Sequence, residues 1–240
     1  MSQNNHVVLV CGASTTGKSS SLEPLKNDIG IMYLNAESNK RLPFKHLFVD
    51  LNVTDPLQVN EAFEHVKERP DIHTLVIDSL TYLMDQYESQ YVLGSANGMK
   101  AWGDYQQFFK KLMQQDVANS TKNIIFIAHT RSDLNEELGA METKVPIKGA
   151  LANQGVESYF SVIVATKRVP IKELADFTNP YLNITEEDTY NGYKYCFQTR
   201  LTKKTVNERI RSPMGMWSRQ ETFIDNNIQF LLDKLNQYYK

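Results

Sequence analysis

The sequence predicts an α/β protein: a mostly parallel central sheet flanked by helices, with a C-terminal antiparallel hairpin and a terminal helix. Three observations carry this. Short apolar runs of strand length recur along the chain, separated by stretches of helical periodicity. Several of these runs end in a glycine or a polar residue, where a parallel sheet presents its C-terminal edge. From about residue 190 the pattern turns to alternation, followed by one amphipathic stretch.

Taken in order, His6 to Cys11 (HVVLVC) is the first strand and ends at Gly12. Helical signals run from Lys18 to about Lys26, with Pro24 implying a kink or an early end. Ile31 to Asn35 and His46 to Leu51 are the second and third strands. Thr54-Asp55-Pro56 opens a helix whose buried face is Val59, Ala62, Phe63 and Val66. Thr74 to Ile77 is a strand ending in Asp78, and residues 100–115 form a helix marked by Trp102, Tyr105, Phe109, Leu112 and Met113. Asn123 to Ala128 and Tyr159 to Thr166 are two further buried strands. Tyr193 to Leu201 alternates like an antiparallel strand, with Thr205 to Ile210 as its partner. Ile224, Ile228, Leu231, Leu232 and Leu235 mark the terminal helix. Residues 130–147 and 169–191 read as two long loops, which in a compact domain are usually functional.

The composition fits a folded soluble domain. Of 240 residues, 41% are hydrophobic and 22% charged, which argues against disorder. No apolar run approaches the ~20 residues of a membrane span, so no membrane association is expected. Met-Ser-Gln-Asn-Asn shows no basic n-region or apolar h-region, so secretion is not expected, and Cys11 and Cys196 suggest neither a disulfide framework nor a zinc site. A cytoplasmic location follows, in the host cytoplasm if the gene is phage-encoded. The net charge of −2 gives no overall footprint for nucleic acid. We read residues 1–240 as one domain, with a core at 6–168 and the C-terminal hairpin and helix at 190–240.

One motif dominates. Gly12-Ala13-Ser14-Thr15-Thr16-Gly17-Lys18-Ser19 matches the phosphate-loop pattern G-x-x-x-x-G-K-[ST] in full, after a strand and before a helix. The glycines allow amide N–H groups to turn toward phosphate oxygens, and the following helix faces the same anion with its positive end. Lys18 would reach the β and γ phosphates and Ser19 would offer its hydroxyl to Mg²⁺. Asp78, closing the run Leu75-Val76-Ile77, is the candidate for the metal shell; a helix-cap role could coexist. Its neighbour is Ser79 rather than a glutamate, so a base that orients water must come from elsewhere. Glu37, just past the second strand, opens onto the same edge and is the candidate, against the alternative of a solvated loop acid. His129, at the end of the 123–128 strand, is either a contact to the γ-phosphate or water, or a structural histidine.

The order GASTTGKS, YLNAE, LVIDSLT, IIFIAHT resembles the RecA superfamily of ATPases, and most nearly its compact phage nucleotide-binding members, including single-strand annealing ATPases. The resemblance covers about residues 6–168. It implies a RecA-like core that binds ATP and Mg²⁺, with Glu37 as catalytic glutamate, Asp78 as metal aspartate and His129 at a sensor position usually held by glutamine. It places a DNA-binding loop at Arg131 to Lys148, with Arg131, Lys144 and Lys148 as its cations. That segment also carries Asp133, Glu136, Glu137 and Glu142, so its charge does not favour phosphates. Between Lys194 and Arg211 six cations face one acid, and the resemblance makes Arg200, Lys203 and Lys204 candidates to reach the ATP of a neighbouring subunit. Tyr193, Tyr195 and Phe197 are either a base-stacking platform or one buried strand face.

The resemblance thus implies an ATPase that binds single-stranded DNA and promotes annealing or strand exchange in phage recombination or replication. Self-association as a ring or filament and a single-strand-binding protein partner follow from it. By the same comparison, RecA's N-terminal oligomerisation element and C-terminal domain are not expected here. Two other classes stay open: a nucleotide-gated loader or assembly factor, and a small-molecule kinase, for which one arginine in the 131–148 loop is too few.

Overall fold

The computed structural model describes residues 4–136 and 139–240. Its centre is one eight-stranded sheet. In chain order the strands are β1 (Val7–Gly12), β2 (Ile31–Asn35), β3 (Val49–Asn52), β4 (Thr74–Asp78), β5 (Asn123–His129), β6 (Arg131–Asn135), β7 (Ala140–Lys144), β8 (Val162–Pro170), β9 (Tyr193–Gln198) and β10 (Phe223–Asp225). The sheet order is β10-β9-β8-β1-β5-β4-β2-β3, and β6 and β7 form a separate antiparallel pair. From β8 to β3 every pairing is parallel; β9 runs antiparallel to both β8 and β10.

The central strands are apolar on both faces because both faces are covered. Along β1, Leu9 and Cys11 enter one core while Val8 and Val10 enter the other. The first core lies under helices Gln58–Lys67, Leu80–Tyr87 and Gly98–Lys111, the last continuing into a wider π-helical turn at Leu112–Val117. The expected face Val59, Ala62, Phe63 and Val66 is the buried one. The opposite core lies under the C-terminal helix Ile228–Tyr238 and the short helix Ser19–Leu25. That short helix winds as 3₁₀ and carries Pro24 in its last turn, where the missing N–H and fixed φ keep it from extending as an α-helix.

Three expectations are corrected. The segment 130–147 is not strandless: β6 and β7 make a hairpin, with Arg131 opposite Lys144 and Asn135 opposite Ala140. It was hidden because its one large apolar pair, Leu134 opposite Met141, is exposed among polar neighbours, so no apolar alternation marks the strands. The antiparallel C-terminal pairing is present, but the neighbours of β9 are β8 and β10 rather than residues 205–210. Among the described residues that stretch makes one isolated bridge, from Glu208 to Thr143, and Arg211 just beyond it bridges Ile163. Ile224 belongs to β10 and not to the terminal helix. Among the described residues no helix is long and apolar enough to cross a membrane.

Phe126 of β5 is fully buried and meets Phe160 edge-on at 5.3 Å. Phe126→Ala is expected to cost about 3–5 kcal/mol, read as a lower urea midpoint with an unchanged slope.

Candidate functional site

Parallel register brings the strand ends within two residues of one level. Gly12 lies opposite His129, Asp78 opposite Ile127, and Asn35 opposite Asp78. Because β5 sits between β1 and β4, the edge reads phosphate loop, His129, Asp78, and then Glu37 two residues past β2. Four segments far apart in sequence thus converge on one rim.

The loop from Gly12 to Ser19 wraps the side chain of its own lysine. Lys18 is 6% exposed, and its ammonium donates to the carbonyls of Gly12 at 3.0 Å and Ala13 at 2.8 Å. Burial lowers its proton affinity, and the nearby charges of Asp78 and Glu37 act against that. Gly17 takes φ +92°, a conformation that strains any residue with a Cβ. Gly12 is required for space: a Cβ there would stand 2.2 Å from Thr166 Oγ1, 2.7 Å from Thr16 Oγ1 and 3.0 Å from the Thr166 carbonyl oxygen. The two threonine hydroxyls are 2.5 Å apart, so β8 braces the loop from the side.

Asp78 is 2% exposed. Its Oδ2 accepts hydrogen bonds from Ser19 Oγ at 2.9 Å and Tyr33 OH at 2.8 Å, while its Oδ1 is buried without a partner. Burial and then the charge of Glu37 raise its proton affinity, and the Tyr33 and Ser19 bonds offset this in part. A buried carboxylate with one idle oxygen beside a serine hydroxyl fits a divalent cation. Among the described residues no cluster of three or more His, Cys, Asp or Glu could hold a metal by itself. Mg²⁺ binds through few protein oxygens together with water and nucleotide phosphates, and Ser19 and Asp78 are the protein oxygens here that could hold it.

Glu37 is also buried, and both of its oxygens are taken. Oε1 accepts from His129 Nε2 and Oε2 from Lys40 Nζ, each at 2.8 Å. Since an ionised carboxylate only accepts, Nε2 carries the hydrogen. Burial alone would raise the Glu37 carboxyl; the bonds from His129 and Lys40 and the Lys40 charge overcome it and pull the group down to about 2. His129 is held in turn by its own backbone N–H, which donates to Thr81 Oγ1 at 2.9 Å.

The other candidates lie apart from this cluster. Arg131 pairs with Asp133, Lys144 with Glu142, and Lys148 with Glu88 on the helical side. Glu137, counted in the charge of that segment, lies outside the described residues. Arg200 donates to the Trp217 carbonyl at 2.9 Å, Lys204 pairs with Glu173, and Lys203 is exposed. None of these three joins Lys18, Asp78 or Glu37 within one chain. Phe197 is fully buried, whereas Tyr195 is 38% exposed and approaches Gly17. The three aromatics are therefore not one face of uniform burial. Between the phosphate loop and the β6–β7 hairpin lies a cavity of about 350 Å³, bordered by Gly12, Ala13, Thr130, Arg131, Thr143 and Lys144.

Residues 4–199 match the sequence profile of a family described as the AAA domain. The chain belongs to this AAA-domain family. A search of curated proteins finds no match. Membership makes the protein a P-loop NTPase-type AAA domain, a class of nucleotide-binding ATPases that usually take Mg²⁺, and the matched span includes Gly12–Ser19, Glu37, Asp78 and His129.

Sequence reasoning missed Tyr33, Lys40, Thr166 and Asn226, whose Nδ2 donates to the Gly17 carbonyl at 2.7 Å across 209 residues. Tyr33 opens the YLNAE run and Lys40 follows Glu37 by three residues; Thr166 and Asn226 lay near no recognised motif.

Two outcomes are expected of this AAA domain. Gly12→Ala should weaken Mg·ATP binding by about 10²-fold or more by titration calorimetry, since the loop must open to admit the methyl group. The second concerns pH. The Glu37 pKa is lower in the folded chain than unfolded, so its contribution to stability is fully present above the ordinary carboxylate range and is lost as pH falls toward 2. The stability difference between the native chain and Glu37→Gln should be flat above about pH 5 and should change against the native chain below that, in urea titrations at stepped pH.

Proposed function

We propose that this AAA-domain protein is a Mg²⁺-dependent ATPase of RecA-like architecture that binds single-stranded DNA, self-associates, and promotes annealing or strand exchange in phage recombination or replication. The observation that carries the ATPase part is the buried Glu37 carboxylate hydrogen-bonded to His129 at the rim shared with Lys18 and Asp78. A base beyond the second strand and a polar residue at the end of the strand beside the phosphate loop are the pair the RecA resemblance calls for.

The chemistry follows from the chain's own groups. The backbone of Gly12–Ser19 binds the triphosphate, and Lys18 leaves the Gly12 and Ala13 carbonyls for the β and γ phosphates. Ser19 and Asp78 would hold Mg²⁺, which when bound neutralises phosphate charge. Glu37 accepts the proton of the attacking water while His129 keeps the carboxylate oriented. His129 leads directly into the β6–β7 hairpin, so the state of the γ-phosphate has a short route to that hairpin. A second copy of the chain would bring Arg200, Lys203 or Lys204 to this rim.

One observation favours a second reading, a nucleotide-gated protein-interaction factor. Every cation proposed to grip DNA from the 131–148 segment already faces an acid.

Steady-state ATP hydrolysis with and without single-stranded DNA separates the two. The DNA reading expects stimulation, abolished in Glu37→Gln with a loss of about 10²–10⁴-fold in kcat while ATP still binds. Turnover indifferent to DNA, with no DNA binding in either nucleotide state, would support the protein-partner reading.

A further inference from the structure

The four residues from Glu37 to Lys40 are folded back on themselves by a backbone that most sequences avoid. Ser38 and Asn39 both adopt left-handed conformations, with φ of 53° and 61°. Asn tolerates this region; for Ser it costs roughly 1–2 kcal/mol. Such conformations persist where the surroundings enforce them, and they gather at functional sites. Here the enforcing group is Asn35. Its Oδ1 accepts the Glu37 N–H at 3.0 Å and its Nδ2 donates to the Lys40 carbonyl at 2.9 Å, while the Lys40 N–H donates to the Glu37 carbonyl at 3.0 Å. The product of this clamped turn is a single contact, Lys40 Nζ on Glu37 Oε2 at 2.8 Å.

The pair is asymmetric. The Glu37 side chain is 7% exposed and the Lys40 side chain 65%. Glu37 is fixed through its other oxygen by His129, whereas Lys40 stands in solvent on a flexible stem. Lys40 keeps most of its hydration at Glu37, so it is held there by the carboxylate's charge and can be drawn off by a stronger anion placed beside it. The charge of Lys40 also reaches both Lys18 and Asp78, the two groups that flank the phosphates in the ATPase reading.

We propose that Lys40 is the γ-phosphate-responsive cation of this site. Without nucleotide it occupies Glu37 Oε2 and blocks it as a proton acceptor; when ATP binds it moves to the γ-phosphate and frees that oxygen. The inference rests on the reading of Glu37 as the base. In the step it serves, the water oxygen bonds to the γ-phosphorus, and the bond from that phosphorus to the β–γ bridging oxygen breaks, its electron pair leaving with ADP. The water proton passes to Glu37 Oε2, while Oε1 stays with His129. Lys40 remains protonated throughout and makes no covalent bond. It supplies, within one chain, positive charge at the phosphoryl group being transferred.

The test uses the full chain with Mg²⁺ and compares ADP with the non-hydrolysable analogue AMP-PNP by titration calorimetry, alongside single-turnover ATP hydrolysis. Lys40→Met should leave ADP affinity within about twofold, weaken AMP-PNP by about tenfold or more, and slow turnover by about 10²-fold. Lys40→Arg should recover most of both. Glu37→Gln should lose turnover but keep AMP-PNP affinity. Lys40→Met with native turnover and a native AMP-PNP to ADP ratio would overturn the proposal, as would an equal loss of both ligands, the mark of a merely structural lysine. If Glu37→Gln is inactive while Lys40→Met is native, only the role of Lys40 fails. If Glu37→Gln turns over normally, the base assignment fails and the Lys40 proposal with it.

Discussion

A charge taken out of water must find a partner or give up its proton. This chain buries an ammonium, Lys18, and two carboxylates, Asp78 and Glu37, at one rim of its sheet. The rest of the structure can be understood as what allows that. Lys18 is received by two backbone carbonyls of its own loop, Asp78 by the hydroxyls of Ser19 and Tyr33, and Glu37 by His129 and Lys40. Only Asp78 is left short, with one idle oxygen, and that deficit is what a metal ion would answer.

The sheet supplies the precision. Parallel strands in register set Gly12 level with His129, and Asp78 level with Asn35 two residues lower on β5, so the groups beyond them meet without long loops. Apolar packing on both faces fixes that register, because a slip of one residue would exchange the two cores. The C-terminal third then ties itself to the phosphate loop through Asn226, Tyr195 and Thr166. It is structurally part of the site although it contributes no member of the phosphate-loop motif.

What could be read from the sequence follows from how local each feature is. The phosphate loop is eight contiguous residues, so its chemistry is written in one place. The meeting of Asp78, Glu37 and His129 at one rim was legible because each closes or follows an apolar run, and parallel strands bring their ends together. The Lys40 turn was not, since left-handed Ser38 and Asn39 carry no glycine to announce them. Tyr33 bonds Asp78 across 45 residues and Thr166 meets Thr16 across 150, distances at which no spacing rule operates. The β6–β7 hairpin escaped because one exposed apolar pair, Leu134 and Met141, makes no alternation, and the partner of β9 because a stretch at 205–210 lay nearer in sequence than β10.

The central claim is that the buried charges at this rim form one Mg·ATP site. The most direct measurement is a crystal structure of the full chain with Mg²⁺ and AMP-PNP. In it Lys18 is expected to have left the Gly12 and Ala13 carbonyls for the phosphates, the metal to stand beside Ser19 and Asp78, and a water to sit between Glu37 and the γ-phosphate. Nucleotide bound elsewhere, or bound at the loop with Glu37 turned away from the γ-phosphate, would contradict it.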